Sequence, residues 1–123
     1  MQDPSAVPII DYYGLSIYGY QGSDNKDYIS SDGIKFNGGG TPAVRRCVAF
    51  SPEWDGLLSV TFRSGNNSTR TLHIAQAGES IVDIQTASTA TEPVTVSVAL
   101  SSDELYYIWI DGGAGIISEM HYV

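Results

Sequence analysis

Basic residues are scarce in this sequence. Six lysines and arginines stand against fourteen aspartates and glutamates, for a formal net charge of −8. An acidic surface of that kind repels nucleic acid and anionic membranes, so neither is expected as a partner. The six cations (Lys26, Lys35, Arg45, Arg46, Arg63 and Arg70) all fall between positions 26 and 70, where they could gather into one local patch. Cysteine is scarcer still. Cys47 stands alone, so no intrachain disulfide can form and thiol-rich metal sites are excluded. Within the apolar run Cys47-Val48-Ala49-Phe50 it is read as a buried small hydrophobe. No apolar run approaches the ~18 to 20 residues of a membrane-spanning helix. The opening Met-Gln-Asp-Pro-Ser lacks the basic and apolar regions of a secretory leader, which suits a domain excised from a longer chain.

Catalytic signatures are missing as well. There is no Gly-x-Ser-x-Gly elbow, phosphate loop or His-Glu-x-x-His. The two histidines, His73 and His121, are read as strand residues with a satisfied neighbour or facing solvent. Glycoside hydrolysis needs two carboxylates across a cleft, and Glu53/Asp55 or Asp103/Glu104 are available. Both pairs sit in turn sequences, where solvation accounts for them. The expectation is a domain that is not an enzyme.

What is present fits one all-β domain. At 123 residues and 42% hydrophobic content the chain can bury a core without staples. Short segments rich in Val, Ile, Thr, Tyr and Phe show period-2 apolar spacing. They place strands near 14–20, 34–36, 43–50, 56–64, 70–75, 80–85, 94–100, 105–110 and 116–123. Asp32-Gly33, Gly38-Gly39-Gly40, Asp55-Gly56, Ala77-Gly78 and Asp111-Gly112-Gly113 punctuate them as turns. That number and spacing predict a two-sheet antiparallel β-sandwich of jelly-roll type. Residues 1–11 are taken as a linker or opening strand, and 12–123 as the single sandwich domain. Alternation assigns Leu58, Val60 and Phe62, and Val94, Val96, Val98 and Leu100, to the core.

Aromatic residues are the informative class. Eight Tyr, two Trp and three Phe are present, and an exposed flat ring stacks on the C–H face of a sugar at small entropic cost. Trp54 sits in the turn sequence Ser51-Pro52-Glu53-Trp54-Asp55-Gly56, as a sugar platform or as a lid over the sandwich edge. Tyr107 and Trp109 are two apart on one strand, so their rings share a face about 7 Å apart. They are either a strip for successive sugars or part of the core. Tyr18 and Tyr20 offer a second strip, and Asp111 a polar group to orient hydroxyls. Asp24, Asp27 and Asp32 lie in a Gly/Ser-rich stretch where loop oxygens could hold calcium as a cofactor.

Several segments also carry a resemblance. They are Gly33-Ile34-Lys35-Phe36, the run from Arg46 to Pro52, Asp55 to Val60, Arg70 to Ile74, and the closing pair Leu105–Trp109 and Gly115–Ile117. Their order resembles the accessory β-sandwich domains of bacterial pectate lyases and other secreted or cellulosomal polysaccharidases. Such domains are carbohydrate-binding modules or module-like, the pectin-binding family 77 among them. The resemblance implies an extracellular, non-catalytic domain, covalently linked to catalytic or scaffold domains, that binds plant cell-wall polysaccharide. The net charge favours a β-glucan or xyloglucan chain, or a calcium-bridged uronate, over bare polygalacturonate. The other reading is a structural spacer or protein-interaction sandwich in a multi-domain secreted protein.

Overall fold

The computed structural model describes residues 6–12, 15–20, 28–30, 33–40, 46–66, 68–77, 86–88 and 92–123. In 6–12, 15–20, 28–30 and 86–88 the backbone alone is described. Eleven strands follow in order: β1 (Ala6–Tyr12), β2 (Leu15–Tyr20), β3 (Tyr28–Ser30), β4 (Gly33–Phe36), β5 (Cys47–Phe50), β6 (Gly56–Ser64), β7 (Arg70–Gln76), β8 (Thr86–Ser88), β9 (Val94–Leu100), β10 (Tyr106–Asp111) and β11 (Gly115–Tyr122). They form two antiparallel sheets, ordered β1-β2-β5-β10-β7-β8 and β3-β4-β11-β6-β9. Among the described strands, only β1–β2, β3–β4 and β7–β8 are consecutive pairs within a sheet, and the other successive strands lie in opposite sheets. That crossing pattern is the expected jelly-roll type of sandwich.

The alternation that predicts the core holds. Leu58, Val60 and Phe62 are at most 1% exposed, and Val96, Val98 and Leu100 line up beside them on β9. The facing sheet contributes Val48, Leu72, Ile74, Tyr106, Ile108 and Ile110 to the same cluster. On the outer face of β6 and β9 the polar partners pair directly: Ser59 with Ser97 at 2.9 Å and Thr61 with Thr95 at 2.8 Å. Such cross-strand hydroxyl pairs reinforce register without using apolar surface.

Four strands lie outside the sequence expectation or shift within it. β3 and β8 are three residues each, too short to show a period. The strand expected at 80–85 lies outside the described residues, and the strand expected from 43 is described from Cys47. β1 occupies most of the segment taken as a linker or opening strand and pairs with β2 from Ala6 onward.

One irregularity decides the geometry of the site. β11 shifts register between Ile117 and Glu119. Without that bulge, strict alternation after Ile117 would turn Glu119 and His121 inward. With it, Met120 faces Val60 and Tyr122 faces Leu58, both packed against the core. Gly33 opens β4 beside this strand. Its φ of +120° brings it against the carbonyl of Ile117, where a Cβ has no room.

Candidate functional site

One end of the sandwich carries the most accessible aromatic ring among the described residues. Trp54 lies in the connection between β5 and β6 and is 54% exposed. Its indole leans on Tyr122, with centroids 5.5 Å apart and planes at 44°. Tyr122 in turn meets Phe50 edge-on at 5.1 Å and 78°, and both pack against the core. The Tyr122 hydroxyl donates to the Trp54 carbonyl at 2.6 Å. Burial, followed by the nearby charges of Asp55 and Tyr106, pushes the Tyr122 phenol above its ordinary pKa, so the donor stays protonated.

The loop beneath Trp54 is tied down from the other side. Asp55 Oδ1 accepts from the Ser102 amide at 2.7 Å, and the Asp103 amide donates to the Pro52 carbonyl at 3.0 Å. These bonds latch the 51–55 loop to the β9–β10 loop, so the ring is presented in a fixed orientation rather than on a mobile tether. Around it, Leu57 (43% exposed) and Val123 (62%) are paired through reciprocal backbone hydrogen bonds. Leu105, just ahead of β10, belongs to the same end. All the large hydrophobics that stand exposed among the described residues are therefore gathered here.

Tyr107 and Trp109 do lie on one face, and it is the outer one. Tyr106, Ile108 and Ile110 take the core side of β10 at 2% exposure or less. This resolves the two readings of that strand, since the core is made by the alternate set. Trp109 is not an open platform, however. Its ring is stacked on His73 of β7 at 4.9 Å with planes only 5° apart. On the other side Gly40 donates to the Ile110 carbonyl and lies so close that an added Cβ would come within 2.7 Å of Trp109 Cβ. Cys47, fully buried as expected, is the register partner of Trp109 on this outer face, and Ala49 is the partner of Tyr107. Trp109 thus serves partly as a strut of a small outer cluster.

Asp111 ends this strip. Its Oδ1 accepts from the Gly112 amide at 2.8 Å, and its Oδ2 lies 3.7 Å from His73 Nε2. The latter distance suits an ion pair with a protonated histidine and is too long for a hydrogen bond. Tyr18 is the backbone register partner of Cys47, which places it in one cross-strand row with Trp109 and His73. The side chains of Tyr18 and Tyr20 lie outside the described residues, as do Asp24, Asp27 and Asp32. Among the described residues, no group of three or more His, Cys, Asp or Glu side chains is placed to hold a metal ion.

The structure adds residues that sequence reasoning missed. Tyr122 and Phe50 carry Trp54, and His73 carries Trp109. The Tyr122 role depends on the β11 bulge, and the His73 role on a cross-strand register. Neither leaves a local signal in the sequence.

The site is thus an aromatic one on an all-β, two-sheet antiparallel sandwich: a fixed, exposed indole at one end and a half-covered aromatic strip on one face. No family model and no curated protein matches the chain. Among solved structures, a CBM4 structure is similar over 90% of this chain and 71% of its own, at 10% identity and a TM-score of 0.42. CBM35 from Paenibacillus barcinonensis is similar over 97% of this chain and 88% of its own, at 18% identity and a TM-score of 0.42. The exo-β-1,3-galactanase Pc1,3Gal43A of Phanerochaete chrysosporium, solved with galactose, is similar over 89% of this chain, at 12% identity and the same TM-score. This chain spans 32% of that enzyme.

Proposed function

We propose that this chain is a non-catalytic carbohydrate-binding domain that holds an attached enzyme or scaffold at plant cell-wall polysaccharide, outside the cell. The observation that carries this reading is Trp54, more than half exposed yet fixed by Tyr122 and a two-loop latch. A ring already held in its binding orientation loses little entropy when a sugar stacks on it. The polar groups beside it, Glu53, Asp55 and Asp103, are carboxylates at exposed positions. They suit the hydroxyls of a neutral β-glucan or xyloglucan at this end and disfavour a polyanion such as pectin there. Tyr107 and Asp111, beside the partly covered Trp109, offer a second and weaker strip for a longer chain, on the sheet whose β2 carries Tyr18 and Tyr20.

The test is affinity electrophoresis of the domain in gels cast with xyloglucan, β-glucan, xylan or pectin, with and without EDTA. Retardation by a neutral polysaccharide that Trp54→Ala abolishes is the expected result. Loss of binding in EDTA would assign calcium to the Asp24, Asp27 and Asp32 segment. A second reading draws on Leu57, Leu105 and Val123, which stand exposed at the same end of the sandwich as Trp54, since exposed apolar groups also suit a protein partner. Absence of retardation in every gel, together with a defined complex in solution, would favour that reading.

A further inference from the structure

The exposed indole does not stand among neutral groups. Glu53 and Asp55 flank Trp54 in the β5–β6 connection, and both are exposed. Asp103 and Glu104, also exposed, stand in the β9–β10 loop, which the Asp103 amide ties to the Pro52 carbonyl at 3.0 Å. Asp55 fastens the same two loops through the Ser102 amide, and Glu104 accepts from Gln76. Among the described residues, no hydrogen bond or ion pair engages the carboxylate of Glu53 or of Asp103. These acidic side chains rim the end of the sandwich that presents the ring.

The described cations lie elsewhere. β6 runs from Gly56, beside Trp54, to Ser64, the register partner of Gly115. Lys35 and Arg63 flank Ile116 at that far end, and Arg70 bonds the Ala114 carbonyl there. The carboxylates around Trp54 therefore meet no described basic side chain of this chain. Their field reaches the platform itself. After burial, Asp55 is the main charge raising the Tyr122 phenol, whose hydroxyl donates to the Trp54 carbonyl. A neutral sugar uses the indole and leaves this field unanswered. A cationic sugar uses both.

We infer that the Trp54 end binds a β-linked polysaccharide whose units carry free amines, a de-N-acetylated hexosamine chain, in preference to a neutral glucan. The inference rests on the carbohydrate-binding reading and names the ligand of that same site. The C–H face of one unit stacks on the indole, and the ammonium groups of the chain meet the carboxylate rim in charge-assisted contacts. An indole face also attracts a cation through its quadrupole, more strongly than the other aromatic rings. The indole supplies what an acidic rim lacks, a flat surface that selects a sugar ring. The rim supplies what the indole lacks, a preference for positive charge.

The experiment compares hexamers that share one β-1,4 backbone and differ only at C2: glucosamine, N-acetylglucosamine and glucose. Each is titrated into the parent domain by calorimetry at mildly acidic pH, where the sugar amines are protonated, and the indole ¹H–¹⁵N signal of Trp54 locates the site. An exposed ion pair and an exposed cation–π contact are each worth about two- to fivefold. The glucosamine hexamer should bind at least about fivefold more tightly than the other two, and added salt should erase the difference. Trp54→Ala should lose the glucosamine hexamer. Glu53→Gln combined with Asp103→Asn should bring the ratio of glucosamine to glucose affinity down towards one. Asn suits the φ of +63° at position 103, and the parent comparison stands even if that variant fails to fold. A ratio that the double variant leaves unmoved, or hexalysine bound as tightly as the glucosamine hexamer, would overturn the site, the latter in favour of a basic peptide. A glucosamine hexamer that gains nothing over glucose, while a neutral polysaccharide still retards the domain, overturns this inference alone. No binding to any hexamer and no retardation in any gel overturns the carbohydrate reading with it.

Discussion

Truncating each tryptophan separately distinguishes a presented ring from a structural one. Trp54→Ala removes an indole that is already more than half in water, so the main loss is its contact with Tyr122. An aromatic pair of that kind contributes about 1 kcal/mol, and the Tyr122 bond to the Trp54 carbonyl survives because it uses backbone. Trp109→Ala removes a half-buried ring stacked on His73 and wedged against Gly40, above the fully buried Cys47. Full truncation of a buried aromatic costs about 3 to 5 kcal/mol; for this partly buried ring about 2 to 3 kcal/mol is expected. In a domain of this size each kcal/mol lowers Tm by roughly 3 to 6 °C. Urea unfolding followed by tyrosine and residual tryptophan fluorescence measures both. Trp109→Ala should lose at least twice as much stability as Trp54→Ala. Equal losses would mean that Trp54 is a lid on the sandwich end, and the case for a pre-oriented binding ring would fail.

Other expectations follow from the same geometry. Phe62→Ala, in the second half of β6 and fully buried, should cost about 3 to 5 kcal/mol in urea unfolding. Gly33→Ala should cost more than the ~1 kcal/mol usual for glycine replacement, because a Cβ meets the Ile117 carbonyl at a φ of +120°. A small loss there would show that the contact between β4 and the Ile117 carbonyl relaxes freely. The raised pKa of Tyr122 links stability to alkaline pH. Folding favours the neutral phenol, so its contribution is complete below the ordinary value of about 10 and fades as pH rises through the raised one. Tyr122→Phe should flatten that alkaline decline, and identical declines in parent and variant would assign it elsewhere.

The sandwich itself is legible in the sequence because alternation is the direct imprint of a half-buried strand. β6 and β9 illustrate it: their apolar positions are the core, and their Ser and Thr positions are the outer hydroxyl pairs. β10, apolar on both sides, left its inward face open, and the register partners Val48 and Ile74 of Ile108 settle it. β11 misleads for a physical reason. Ile116, Ser118, Met120 and Tyr122 share one period-2 phase, but a one-residue bulge changes the phase halfway. The platform under Trp54 depends on that change, so the ring was visible from its turn sequence while its support was not.

The central claim is that a fixed, exposed indole makes this sandwich a binder of polysaccharide, and affinity electrophoresis of parent and Trp54→Ala domains in xyloglucan or β-glucan gels tests it most directly. Retardation of the parent, lost in a Trp54→Ala variant whose melting temperature has moved by only a few degrees, is the predicted result. Equal migration of the two proteins in every polysaccharide gel would contradict it.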